Sequence, residues 1–263
     1  MLMLTFIAIQ VLIILAITLL EKRQNPGQTD WLRNLQAWAL DVGTGFMILP
    51  LFHEWGNISL IDGGKLPFVL GCLVLIMTRD GLEFGFHLLQ HKVPFMWRMH
   101  SLHHSDPEMS ALTTGRHFWG DKVLKVLTIW PATALVVSTP YSMTMVYSLV
   151  SLYNFFIHAN LKVNLGKWSW VINTPAYHRR HHSRLPEHYN SNYAPLLPIW
   201  DVICGTYHRP DGWPPTGQAR APRGFLDLIV WPFLKQTELR SVPEVARPTV
   251  AAEPAEPQVR ASA

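Results

Sequence analysis

His100-Ser101-Leu102-His103-His104 recurs later in the chain as His178-Arg179-Arg180-His181-His182, and both stretches read HxxHH. His87-Leu88-Leu89-Gln90-His91 precedes the first as HxxxH, and His158 stands alone ahead of the last. On a helix, residues three and four apart share a face, so each box points its imidazoles in one direction. Within HxxHH the adjacent pair diverges by about 100° around the axis, which lets one ring of the pair face each of two metals. Nine of the 13 histidines fall in these clusters. One metal uses three or four protein ligands, so nine suit two metals with four or five each. Imidazole suits iron, zinc, copper and nickel. His53, His188 and His208 lie outside the boxes and read as ordinary core or surface residues. Ligating imidazoles need hydrogen-bond acceptors behind them. Asp80, Asn160, Asn173 and Asp201 are the candidates, each equally able to be a cap or turn residue.

The rest of the chain must position these boxes, and it is greasy. Of 263 residues, 49% are hydrophobic and only 15% charged, against an ordinary quarter. Eleven Trp suit elements that meet a wet boundary. The mean hydropathy of +0.12 reflects very apolar stretches diluted by a polar, histidine-rich part. The net charge of +4 is not gathered into a basic stripe with interleaved aromatics, so nucleic acid is not an expected partner. Cys72 and Cys204 lie far apart without CxxC spacing, which argues against a disulfide framework; Cys72 sits in an apolar run as a small hydrophobe.

Residues 2–20 are an almost unbroken apolar run, long enough to cross a bilayer. No positive charge precedes it and Glu21-Lys22-Arg23 follows, so it reads as an uncleaved span ending in the cytoplasm. Asn25-Pro26-Gly27 is turn chemistry. A second segment covers 31–55, interrupted by Asp41, which in lipid should face the protein interior. A third starts at Pro67, turns polar at Thr78-Arg79-Asp80 and continues helically into His87 and His91. A fourth covers 123–138, broken by Pro131, and a fifth covers 141–158; the two form a spanning or re-entrant hairpin. This order places loop 57–65 outside and every histidine box on the cytoplasmic side. The charges agree: Lys65 is nearly alone outside, against Lys92, Arg98, Arg116 and Lys122 inside. The expected fold is all-α: an integral membrane helical bundle of four to five membrane segments, with a cytoplasmic His-rich helical cap holding a dinuclear metal site. One domain is expected over 1–240, followed by a disordered Pro-, Ala- and Glu-rich tail over 241–263.

Two other functions use membrane histidines. Bis-His haem needs one ring from each of two helices, not triple boxes. A His-rich metal transporter or sensor without oxidase chemistry is the alternative, but its ligands belong at mid-span, whereas these boxes sit at helix ends and beyond.

The box series resembles the fatty acid hydroxylase/sterol desaturase superfamily of membrane di-iron oxygenases. Asp80 precedes HxxxH with that family's spacing, and His100-Ser101-Leu102-His103-His104-Ser105 matches its first HxxHH box, followed by a matching Arg116. Phe156-Ile157-His158-Ala159-Asn160 resembles the lone-His segment, and Asn173-Thr174-Pro175-Ala176-Tyr177 leads into the last box. Asn190-Ser191-Asn192-Tyr193, Leu197-Pro198-Ile199-Trp200-Asp201 and Gly205-Thr206-Tyr207 resemble the closing signature, most like the alkylglycerol monooxygenase branch and its bacterial relatives. The chain departs from the pattern at His117, which directly follows Arg116 where relatives place Arg-x-His, and at Lys162, where some carry a further His. His117 is therefore left out of the ligand set. The resemblance implies His87, His91, His100, His103, His104, His158, His178, His181 and His182 as ligands of two iron ions. Asp80, Arg116, Asn160 and Asp201 would lie behind them. It also implies O2 as co-substrate, a C–H bond of a lipid as target, and hydroxylation, desaturation or ether cleavage as outcome. The partners would be the bilayer, a lipid substrate and a separate electron donor, since the chain carries no nucleotide fingerprint. The expected location is a bacterial inner membrane with the site on its cytoplasmic face.

Overall fold

A computed structural model of the protein describes residues 2–25, 30–48 and 59–234. The Pro-rich tail, the Pro26-Gly27 turn, His53 and the far end of the second apolar segment lie outside the described residues.

Among the described residues ten helices carry the fold: α1 (Leu2–Gln24), α2 (Trp31–Ile48), α3 (Phe68–Lys92), α4 (Pro94–His100), α5 (Trp119–Val136), α6 (Tyr141–Ser151), α7 (Tyr153–His158), α8 (Pro175–His181), α9 (Ile199–Cys204) and α10 (Phe225–Val230). The only sheet among the described residues is a parallel pair, β1 (Ile61–Asp62) with β2 (Val137–Ser138), which ties the start of α3 to the end of α5. Those two helices therefore run antiparallel, and α2 and α6 pack beside them. Pro131 lies inside α5 and does not end it. It removes one backbone donor, a loss that a helix held by neighbours on both sides tolerates. The fifth apolar segment is two helices, α6 and α7, meeting at Leu152.

Among the described residues no helix is long and apolar enough to cross a membrane. This corrects the simple picture of separate uninterrupted spans. The longest helix, α3, carries Arg79, Asp80 and Glu83 from its middle onward, and α5 carries Asp121, Lys122 and Lys125 in its first half. The large apolar side chains that α3 exposes gather at its other end. On α3 they are Phe68, Val69, Leu70, Leu73 and Met77, with only Leu89 beyond, and α1 exposes Val11, Leu12, Leu15 and Leu19.

Residues 159–234 contain little regular structure, but they are well buried around α8, whereas α9 buries only Asp201. Trp231, fully buried, packs with Ala37, Met99, Leu102, Phe118 and Leu228, and its indole N–H donates to Ser101 Oγ at 2.9 Å. The end of the domain thereby clamps the first HxxHH box against α2.

Candidate metal centre

Neither HxxHH stretch is a continuous helix. His100 ends α4, and His103 and His104 lie in a following 3-10 turn; His178 and His181 belong to α8 and His182 caps it. Thr174 starts α8 by accepting from the Tyr177 N–H at 3.3 Å, with Pro175 at the first helical position. His87 and His91 sit one turn apart near the end of α3, and His158 ends α7. Elements far apart in the chain thus converge on one point.

There the nine histidines fall into two groups. His87, His91, His100, His104 and His181 form one, and His103, His158, His178 and His182 the other. Each adjacent pair divides between them: His104 from His103, and His181 from His182. Candidate ligand atoms within a group lie within 4.8 Å of one another. Two nitrogens on opposite sides of one metal are about 4.2 Å apart at a metal–nitrogen distance of about 2.1 Å, so each group has the dimensions of a single-ion site. The groups touch, with His104 and His182 stacked at 4.2 Å between ring centroids.

The proton positions follow from the partners. His87 Nδ1 lies 2.7 Å from the Tyr193 carbonyl, His158 Nδ1 2.7 Å from that of Asn154, and His181 Nδ1 2.8 Å from that of Ser191. A carbonyl only accepts, so each Nδ1 carries the hydrogen and each Nε2 of the neutral ring presents a lone pair. In the four-histidine group the Nε2 atoms follow one another from His103 to His158 to His178 to His182 at 3.1, 3.0 and 3.2 Å. His178 Nε2 faces two nitrogens and has at most one hydrogen to offer, so protons alone cannot satisfy the row. In the other group, Nε2 of His91, His104 and His181 is buried without a hydrogen-bond partner among the described residues. Lone pairs converging in a buried place are the donor set of a cation that accepts imidazole, and the residues present fit two such ions.

Electrostatics point the same way. Burial first, then repulsion from neighbouring rings, holds His100, His103, His104, His178 and His182 well below the ordinary histidine range. Burial lowers His181 to about 4, against the opposing bond to the Ser191 carbonyl. Neutral imidazole, the form that binds metal, is the form this environment keeps.

The four polar residues placed behind the ligands sit elsewhere. None of the hydrogen bonds made by Asp80, Arg116, Asn160 or Asp201 reaches a histidine ring. Asp80 accepts from the Leu196 and Leu197 N–H groups and the Trp200 indole. Arg116, fully buried, donates to Asn34 at 2.9 Å and pairs with Asp30 and Asp106, tying the turn after the first box to α2. Asn160 Oδ1 accepts from Arg179 and Trp213. Asp201 accepts from the Tyr193 and Ala194 N–H groups, and so fixes the segment whose Tyr193 carbonyl holds His87. The groups that hydrogen-bond to Nδ1 of His87, His158 and His181 are backbone carbonyls, which a sequence does not distinguish.

His117 belongs to the neighbourhood. Its ring stacks on that of His103 at 4.5 Å and 7°, and with His100 and Asp121 it forms a third cluster. Gly115 permits this: a Cβ there would meet the Trp38 side chain at 2.7 Å, so glycine lets the turn close on α2. A cavity of about 400 Å³ opens beside the centre and touches His87, His100, His103, His158 and His178. His188 bonds to Ser183 and His208 lies near the Thr206 carbonyl, both outside the two groups.

The sequence model of the fatty acid hydroxylases matches residues 72–206, a stretch that holds all nine of these histidines. The chain belongs to the fatty acid hydroxylase family. It is 33% identical over 189 residues to the alkylglycerol monooxygenase of Xenopus tropicalis, covering 70% of this chain and 41% of the relative. It is 29% identical over 168 residues to the ornithine lipid hydroxylase OlsE of Rhizobium tropici (62% and 50%), and 30% identical over 167 residues to human cholesterol 25-hydroxylase (59% and 54%). The chain thus spans between 41% and 54% of the length of these relatives. No solved structure matches it.

Proposed function

We propose that the protein is a membrane-bound oxygenase that inserts one oxygen atom of O2 into a C–H bond of a lipid, using two iron ions held by the nine histidines. The carrying observation is the division of those histidines into buried groups of five and four with converging lone pairs. The named activities of its relatives support lipid hydroxylation. When bound, the irons would supply the O2-activating chemistry. His87, His91, His100, His104 and His181 would hold one, and His103, His158, His178 and His182 the other.

The protein's own contribution is position. The carbonyls of Asn154, Tyr193 and Ser191 orient three of the rings, burial excludes bulk water, and the adjoining cavity brings substrate to the histidines. Hydroxylation balances as RH + O2 + 2 e⁻ + 2 H⁺ → ROH + H2O, so a separate electron donor is a partner. The apolar side chains exposed on α1 and on the first half of α3 support immersion of that end in lipid, with the histidines at the cytoplasmic boundary of a bacterial inner membrane.

Metal analysis of purified protein, followed by lipidomics of cells with and without it, tests the proposal. Two irons per chain and a lipid that gains oxygen are expected. Metal transport without O2 consumption, or full iron and turnover in His103→Ala, would overturn it.

A further inference from the structure

Helix α1 exposes apolar side chains such as Val11, Leu12, Leu15 and Leu19, but one stripe of it faces the centre. Ile17, Glu21 and Asn25 follow one another at four-residue spacing and so share a face. Ile17 packs with Phe156, Ala111, Ala159 and Leu161. Glu21 is 4% exposed, whereas its neighbours Lys22 and Arg23 are exposed. A carboxylate taken out of water is costly unless its oxygens are hydrogen-bonded. Those of Glu21 accept from the backbone: the Asn160 N–H at 2.6 Å, and the Ala111 N–H at 3.2 and 3.3 Å. The Asn25 amide donates to the Asn160 carbonyl, so α1 holds both backbone groups of Asn160.

The segments joined in this way carry the four-histidine group. Asn160 lies two residues past His158, at the exit of α7, a helix of only six residues. Its side-chain carbonyl accepts at 3.3 Å from Arg179, which stands between His178 and His182. Ala111 opens the 3-10 turn Ala111–Gly115, and Thr113 of that turn donates to Asp106, three residues past His103, at 2.5 Å. Among the described residues the bonds of Glu21 and Asn25 do not reach α3, which carries His87 and His91. The five-histidine group has its own frame, in α3 and the Tyr193 and Ser191 carbonyls. His158 Nε2 stands inside the row of four, 3.1 Å from that of His103 and 3.0 Å from that of His178. A shift at the exit of α7 changes both distances at once.

We propose that Glu21 is a positioning residue for the ion of the four-histidine group. From α1 it fixes the exit of α7 and thereby the place of His158 Nε2, which makes α1 part of the frame of the centre. The inference rests on the oxygenase reading in that this group must hold an ion, and it adds the helix that keeps the group in register. Two variants separate reach from charge. Glu21→Asp keeps the charge but withdraws the carboxylate by one methylene, about 1.5 Å. Glu21→Gln loses the charge but keeps an oxygen for the Asn160 N–H. Asn25→Ala releases the Asn160 carbonyl alone.

The test uses iron-loaded full-length protein. Chelator competition reads the affinity of each ion, the Mössbauer spectrum identifies the iron that remains, and hydrogen exchange of metal-free protein reads residues 153–161. In Glu21→Asp one ion should lose affinity by about 10–100-fold, the range for removing a group that holds a ligand in place. The remaining iron should match that of His158→Ala, and exchange over 153–161 should quicken. Asn25→Ala should weaken the same ion to a lesser degree, while Glu21→Gln and the exposed-site control Lys22→Ala should stay close to the parent. Parental affinity for both ions in Glu21→Asp would overturn the proposal. So would equal weakening of both ions, remaining iron that matches His181→Ala, or a loss in Glu21→Gln as large as in Glu21→Asp. Failure confined to these variants leaves the oxygenase reading intact, whereas parent protein that takes up no ion would overturn that reading and this role together.

Discussion

Asp201 offers the most direct test of how the centre is held. Its carboxylate is fully buried and accepts four hydrogen bonds: from the Tyr177 hydroxyl at 2.6 Å, the Tyr193 N–H at 2.9 Å, the Ala194 N–H at 2.7 Å and the Thr206 hydroxyl at 2.6 Å. Asp201→Ala leaves four buried donors without their acceptor. Each orphaned group costs about 1–3 kcal/mol, and the costs do not add once the site relaxes. Breaking a buried charged arrangement typically costs about 3–5 kcal/mol in total. At about 2–4 °C per kcal/mol for a chain of this size, the apparent melting temperature should fall by about 6–20 °C. Asp201→Asn keeps the shape and one acceptor, and should cost about 1–3 kcal/mol. The loss should also reach the metal. Freed Tyr193 carries with it the carbonyl that orients His87, so the five-histidine group should lose its ion first. Melting followed by intrinsic fluorescence, with metal counted by mass spectrometry on the same sample, reads both effects. An Asp201→Ala protein that melts within about 2 °C of the parent and keeps its full metal complement would refute the reasoning.

Other consequences can be measured alongside. His103→Ala and His181→Ala should each abolish turnover and lower bound iron, one from each group; retention of full iron in either would contradict the grouping. With the iron held by the nine other rings as proposed, His117→Ala should keep it while slowing turnover through the lost stack on His103; loss of an ion would make His117 a ligand. Trp231→Ala opens a cavity at a fully buried site and frees Ser101, for a loss of about 3–5 kcal/mol in chemical denaturation. In metal-free protein the depressed histidines bind protons only after unfolding, so their contribution is complete above about pH 6.5 and is lost as the pH falls toward about 4, the value for His181. Unfolding midpoints of chelated protein between pH 7.5 and 5 should therefore decline with acid, and a flat profile would count against it.

How much of this was legible in the residues depends on what kind of group acts. Histidine is chemically distinctive and helical spacing is local, so the nine rings and the separation of each adjacent pair could be read in advance. The acceptors behind them could not, because the atoms at Asn154, Tyr193 and Ser191 are backbone carbonyls that every residue possesses. The carboxylates at Asp80 and Asp201 attracted attention by type, yet they act one step further out, on the chain that carries those carbonyls. Pro131 misled because its cost was judged without the helices packed around α5. Arg79 stood where the third apolar segment turns polar, and nothing local singled out Glu83 or Lys125. Only the antiparallel pairing of α3 with α5 turns them into one wall.

The row of nitrogens facing nitrogens also bears on the life of the protein in the cell. His103, His158, His178 and His182 cannot be reconciled by sharing protons, so ions bound as proposed would resolve a conflict that folding alone leaves standing. Newly made chain that meets no iron would then be the less durable form, open to proteases where its elements converge. With iron as the proposed occupant, the amount of this protein would follow iron supply without any dedicated sensor, because the centre itself would report whether it has been filled.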